Sequence, residues 1–77
     1  MPREPRTADI VAEMAASVLK IPVGPGDRLA VGDTVVLLES MKMEIPVLTE
    51  TAGTVTAVKV AEGDAVQEGD VLVSLEL

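Results

Sequence analysis

The sequence predicts an all-β domain, and three observations carry that reading. The chain contains an internal repeat, its Val-rich runs alternate with a period of two, and Gly-Asp pairs punctuate them. Displacing the chain by 37 residues lays residues 16–40 over residues 53–77 with nine identities in 25 positions. Gly26-Asp27 falls on Gly63-Asp64, and Gly32-Asp33 on Gly69-Asp70. Val18, Val23, Val36, Leu38 and Glu39 fall on Val55, Val60, Val73, Leu75 and Glu76. Chance is a poor account of a match that keeps both turns and the apolar phase between them. Such a repeat means two copies of one supersecondary unit. Two copies are too few for a solenoid, so they are expected to pack on each other about a pseudo-twofold.

Residues 1–9 hold two prolines and alternating charges, which predicts a loose N-terminal tail before a domain over residues 10–77. Ala12, Glu13, Met14, Ala15 and Ala16 are helix formers, and a short helix near residues 8–16 competes with a strand there. The repeat favours a strand for residues 18–23, matching residues 55–60. In the later strands Val36 and Leu38 alternate with Val35, Leu37 and Glu39, and Val71, Val73 and Leu75 alternate with Leu72, Ser74 and Glu76. That phase turns Val36, Leu38, Val73 and Leu75 inward and Glu39 and Glu76 outward. Val55 and Val58 stand three apart, so a flat strand cannot bury both, and a bulge near Thr56-Ala57 is expected. The Gly-Asp pairs supply the backbone freedom and the short side-chain acceptor that tight turns use.

Composition narrows the chemistry. The 77 residues include no His, Cys, Trp, Tyr or Phe. A zinc site, a disulfide framework and a His-based catalytic pair are excluded. Stacking platforms for single-stranded nucleic acid are missing too. Six basic residues stand against 13 acidic ones, a net charge of −7, which repels phosphate backbones and favours partners with basic surfaces. No apolar run approaches the roughly 20 residues of a membrane span. The first residues lack the apolar stretch of a signal peptide. A monomeric cytoplasmic protein with neither nucleic acid nor membrane as partner is expected. A chain this short buries only about 60% of its unfolded surface, so stability must come from regular packing of an aliphatic core.

Between the two units lies Leu38-Glu39-Ser40-Met41-Lys42-Met43-Glu44-Ile45. It follows one strand and precedes another alternation, Met43, Ile45 and Val47, so the chain reverses near Ser40, Met41 and Lys42. Most surface lysines at turns are simply solvated. The methionines argue against that reading here. Turns favour Gly, Asn, Asp or Pro, and two exposed thioethers beside a lysine support no turn geometry. Adaptable methionines suit recognition by another protein.

Glu39-Ser40-Met41-Lys42-Met43-Glu44 resembles the biotinylation motif of the biotinyl/lipoyl attachment domain family. Its Met-Lys-Met centre is of the biotin type, where lipoyl domains usually carry Asp-Lys-Ala or Val-Lys-Ala. The resemblance covers roughly residues 10–77 and includes the four Gly-Asp pairs and Gly53. Within the family it is most similar to short, free-standing biotinylated proteins of actinobacteria. The chain departs from the family in Ala12-Glu13-Met14-Ala15-Ala16, where Ala-Pro-Met-Pro-Gly is common. It also leaves no room for a protruding thumb between Val23 and Val35.

The resemblance implies a flattened β-barrel or sandwich of two four-stranded sheets, with Lys42 on an exposed hairpin as the site of covalent biotin attachment. It implies a non-catalytic carrier, modified by a biotin protein ligase and shuttling a carboxyl group between the biotin carboxylase and carboxyltransferase of an acyl-CoA-type carboxylase. Met41 and Met43, and less so Glu39 and Glu44, are candidates for ligase and partner recognition. Two other readings stay open: a lipoyl carrier of a 2-oxo acid dehydrogenase, and an unmodified β-sandwich adaptor. No residue is a candidate for catalysis or metal binding.

Overall fold

A computed structural model describes residues 6–77, and the part of the expected tail before them lies outside the described residues. Eight strands follow in order: β1 (Thr7–Val11), β2 (Ala16–Lys20), β3 (Arg28–Leu29), β4 (Thr34–Ser40), β5 (Met43–Leu48), β6 (Gly53–Val58), β7 (Ala65–Val66) and β8 (Val71–Glu76). They form two four-stranded antiparallel sheets, ordered β1-β8-β6-β3 and β5-β4-β2-β7. The all-β sandwich expected from the sequence is what forms. No helix occurs among the described residues, so residues 8–16 resolve as strand, bend and strand. Thr7, Ala8 and Asp9 belong to β1 rather than to a loose tail, because Thr7↔Glu76 through Ile10↔Val73 pair them with β8.

The repeat extends further than the sequence match suggested. The same displacement of 37 residues carries β1 onto β5, β2 onto β6, β3 onto β7 and β4 onto β8. It therefore converts one sheet order into the other, which is the pseudo-twofold expected of two packed units. Hydrogen bonds repeat as well. Ala12 N–H donates to Asp70 O at 2.9 Å, and its counterpart Thr49 N–H donates to Asp33 O at 2.9 Å. Gly26 N–H donates to Val55 O and Gly63 N–H to Val18 O, both at 2.8 Å.

Each Gly-Asp pair closes the same turn. Asp64 N–H donates to Ala61 O at 3.0 Å, while its carboxylate accepts from Ala61 N–H at 2.9 Å. Gly63 sits at φ +91°, which a type II turn demands of its third residue. Asp27, Asp33 and Asp70 make the equivalent side-chain contacts to Gly24, Ala30 and Gln67. The aspartate thus saturates a backbone donor that the turn would otherwise leave to water.

The core is entirely aliphatic, built on Val18, Leu29, Val35, Val36, Leu38, Val55, Val66, Leu72, Val73 and Leu75 with Ala12. Val36, Leu38, Val73 and Leu75 point inward as expected. Val35 and Leu72 do not point outward: both are fully buried. Each is the extra residue of a bulge, since Thr34↔Leu48 is followed by Val36↔Val47, and Val11↔Val71 by Ile10↔Val73. A bulge lets two successive side chains turn to one face, which strict alternation cannot show. The expected bulge near Thr56-Ala57 is present between Val55↔Leu75 and Ala57↔Ser74. Its counterpart at Leu19 interrupts β2 against β4. Among the described residues Thr49 is the buried polar side chain, and its Oγ1 donates to Thr51 O at 2.6 Å and accepts from Thr51 N–H at 3.1 Å.

Candidate functional site

Strand β4 runs out of the core through Leu38 and ends at Ser40, which pairs with Met43 at the start of β5. Ser40 is therefore the last rung of the ladder, and the tip of the hairpin is Met41-Lys42 alone. Both tip residues adopt the left-handed conformation, Met41 at φ 53° and Lys42 at φ 66°. Among the described residues they are the only non-glycine positions with positive φ. Two consecutive positive φ values in a two-residue loop define a type I′ turn, whose backbone twist matches that of the strands it joins. Asn-Gly is the favoured pair for such a turn. Met-Lys fills it against a local penalty on the order of 1–2 kcal/mol per residue. The rigid ladder beneath imposes that geometry on the tip.

The candidate residues gather at this end. Met41 is 92% exposed and Met43 65% exposed, while Lys42, Glu39 and Glu44 are all exposed. Met43 shares the inward phase of Ile45 and Val47, but it lies beyond the last layer of core side chains. It therefore offers apolar surface at the tip instead of burying it. Glu39 and Glu44 face each other across the ladder on the outer side of the sheet. Like charges directly opposite are unfavourable by about 0.2–1 kcal/mol. The tip thus combines one ammonium, two thioethers and two carboxylates, none taken up by the fold.

This arrangement can present one primary amine, and it offers little else chemically. Among the described residues no group of His, Cys, Asp and Glu is placed to hold a metal ion. Lys42 is exposed, and the groove on the flank of the sandwich includes Ile45 but not Lys42. A bulky substituent on its Nζ would meet solvent. The sequence placed the chain reversal at Met41 and Lys42 but missed their left-handed conformation. The readable signal was the short connection between Ser40 and Met43, which a two-residue hairpin loop most commonly closes with a primed turn.

Comparison with known proteins agrees with that geometry. The family model described as "Biotin-requiring enzyme" matches residues 3–75. The biotinylated protein TB7.3 homolog of Mycolicibacterium smegmatis is 65% identical over 40 residues, 52% of this chain and 56% of the relative. The biotin/lipoyl attachment protein of Bacillus subtilis is 49% identical over 36 residues, 47% of this chain and 49% of the relative. The matched segments thus span about half of these curated relatives. Among solved structures, a single-chain, multi-domain long-chain acyl-CoA carboxylase superposes with TM-score 0.87 and 26% identity over 99% of this chain and 8% of that one. The urea carboxylase of Kluyveromyces lactis superposes with TM-score 0.86 and 25% identity over 97% of this chain and 7% of that one. With the family model spanning nearly the whole chain, and with a lone amine raised on a type I′ turn, the chain belongs to the biotin/lipoyl attachment family.

Proposed function

We propose that the domain is a biotin carboxyl carrier, with Lys42 as its attachment residue. The observation that carries this reading is the Met41-Lys42 turn: a strained, exposed loop that lifts an amine clear of the sandwich and flanks it with apolar surface. Met-Lys-Met selects biotin over lipoate, and relatives named as biotinylated proteins support that choice. The likeness to two carboxylases supports a carboxylase as the system served. Within that reading the domain acts as a cytoplasmic monomer and contributes no catalytic group.

Lys42 does the covalent chemistry. Its unprotonated Nζ attacks the activated carboxyl of biotin, an N–C bond forms, the activating group leaves, and one proton is released. Arginine cannot take this role, because its guanidinium stays protonated. Bound there, biotin supplies a ring that accepts a carboxyl group from one active site and releases it at another. The sandwich holds the arm's root still, so only the arm itself has to be ordered at each active site. Tethering gives an effective concentration on the order of millimolar for a short flexible link. Met41 and Met43 supply the adaptable apolar contact for ligase and carboxylase. Glu39 and Glu44 offer carboxylates to basic groups on those partners.

Intact mass after incubation with a biotin protein ligase, ATP and biotin tests the reading. One biotin is expected on the wild-type protein and none on Lys42→Arg, with unchanged thermal unfolding. Biotin retained by Lys42→Arg, or lipoate on Lys42 in protein from the native cell, would overturn it.

A further inference from the structure

The two sheets do not close over one flank. Strands β1 and β5 are each the outer strand of their sheet, and between them runs a groove of ≈ 600 Å³. Its floor is half-buried Ile10, Ile45 and Val47. Four exposed large hydrophobic side chains, Val11, Met14, Val31 and Leu48, line it as well. The others among the described residues are Met41 and Met43 at the lysine turn and Leu77. Exposed apolar surface is therefore concentrated in two places, and the attachment site explains only one. A contiguous apolar patch with a polar rim marks an interaction surface more often than chance exposure does.

The charge around the groove has one sign. Asp9, Glu13 and Glu50 line it, and among the described residues no lysine or arginine does. Glu13 and Glu50 are related by the internal repeat, so each half contributes one carboxylate just past its outer strand. The two edges also differ. Pro46 sits within β5 opposite Leu37, and proline is tolerated in a strand where its nitrogen faces the free edge. The β5 edge thus lacks a donor midway, whereas Thr7–Val11 in β1 contains no proline. An edge with its donors and acceptors free takes an added strand, and the floor beneath supplies pockets for alternate side chains.

These features choose among occupants. A second copy of the chain would bring another net charge of −7 against three carboxylates. The neutral biotinyl arm would bring no positive charge to Glu13 and Glu50, and would leave Asp9 with only the hydrogen bond it accepts from Ser74 Oγ at 2.9 Å. We infer that the groove between β1 and β5 docks an extended segment of a partner protein in which basic and aliphatic residues alternate. The segment pairs with the edge of β1, lays its aliphatic side chains on Ile10, Val47 and Leu48, and sets its basic side chains against Asp9, Glu13 and Glu50. Lys42 is absent from the groove lining, so a partner held there keeps the carrier while the lysine turn stays free to visit active sites. The inference does not depend on biotin at Lys42.

Its test uses 15N-labelled Lys42→Arg protein, which removes covalent attachment from the outcome. The probe is a capped six-residue peptide alternating arginine with valine, with a glutamate-for-arginine peptide as its counterpart. Saturable amide shifts are expected along β1, Glu13-Met14, Val31-Gly32 and residues 45–51. Binding should weaken about tenfold in Glu13→Lys/Glu50→Lys, as two partly solvated ion pairs imply, and should also weaken as salt is raised. Equal shifts with the acidic peptide, shifts spread over all acidic faces, or shifts centred on the 41–42 turn would each overturn the inference. So would slower tumbling with rising protein concentration, which would seat a second copy in the groove. Groove shifts on biotinylating the wild-type protein without peptide would overturn it too, since the arm would then be the occupant.

Discussion

At one end of the sandwich β4 turns into β5 through Met41 and Lys42. At the other, β8 lies beside β1 in the same pairing with no turn between them. Ser40 pairs with Met43 at the first end, and the repeat carries these residues onto Leu77 and Arg6, where Leu77 N–H donates to Arg6 O at 2.9 Å. The next rung is Glu39 opposite Glu44 at the lysine end and Glu76 opposite Thr7 at the other. The ladder therefore forms equally well without the strained pair. The left-handed Met and Lys, and the facing glutamates, are features of the lysine turn that the shared frame does not require. Strain and charge repulsion were kept where an amine is displayed and are missing where the same frame has nothing to display.

The largest expected effect tests the equality of the two frames. Leu38 and Leu75 are repeat mates and 1% and 0% exposed. Leu38→Ala and Leu75→Ala should each destabilise by about 2–5 kcal/mol in urea unfolding and agree within about 1 kcal/mol. A large disparity would show that one half dominates the core. A smaller effect tests the strain. Replacing Met41-Lys42 with Asn-Gly should stabilise the domain by about 1–2 kcal/mol while abolishing biotin incorporation. No gain in stability would mean that the turn is relaxed as it stands. The smallest effect tests the facing carboxylates. Glu44→Thr copies the other end and should raise stability by about 0.2–1 kcal/mol. A slower ligase reaction in that variant, measured by mass against time, would assign Glu44 to recognition, and an unchanged rate would leave Met41, Met43 and Glu39 as the recognising surface.

Much of this was legible in the residues. The Gly-Asp pairs, the shared phase of Leu38 and Leu75, and the spacing of Val55 from Val58 led to turns, inward faces and a bulge that the structure contains. The failures have one cause. Alternation assumes an unbroken pleat, so it turned Val35 and Leu72 outward, where bulges bury them. The start of β1 was missed because Thr7 and Asp9 carry no apolar signal of their own. They are strand residues only because β8, more than 60 positions later, offers them a ladder. The sequence also placed Met41 and Lys42 at a chain reversal, where the structure has the tip of the β4–β5 hairpin. The groove on the flank stayed hidden because its walls come from two strands in different sheets, and no local pattern records their meeting.

The strand orders also show that neither repeat unit owns a sheet. β1 and β3 of the first unit lie with β6 and β8 of the second, and β2 and β4 lie with β5 and β7. On its own the first unit can form only the β2–β4 ladder, and β1, β3 and the outer side of β4 wait for strands of the second unit. The β4–β5 hairpin is local and closes early, but β1 has no neighbour until β8 arrives. Neither unit can complete a sheet without the other, so the domain folds as one cooperative unit. If Lys42 is the attachment residue, a ligase that requires the rigid frame beneath it would modify only molecules in which β8 is seated between β1 and β6, and the proposed modification would report a finished fold.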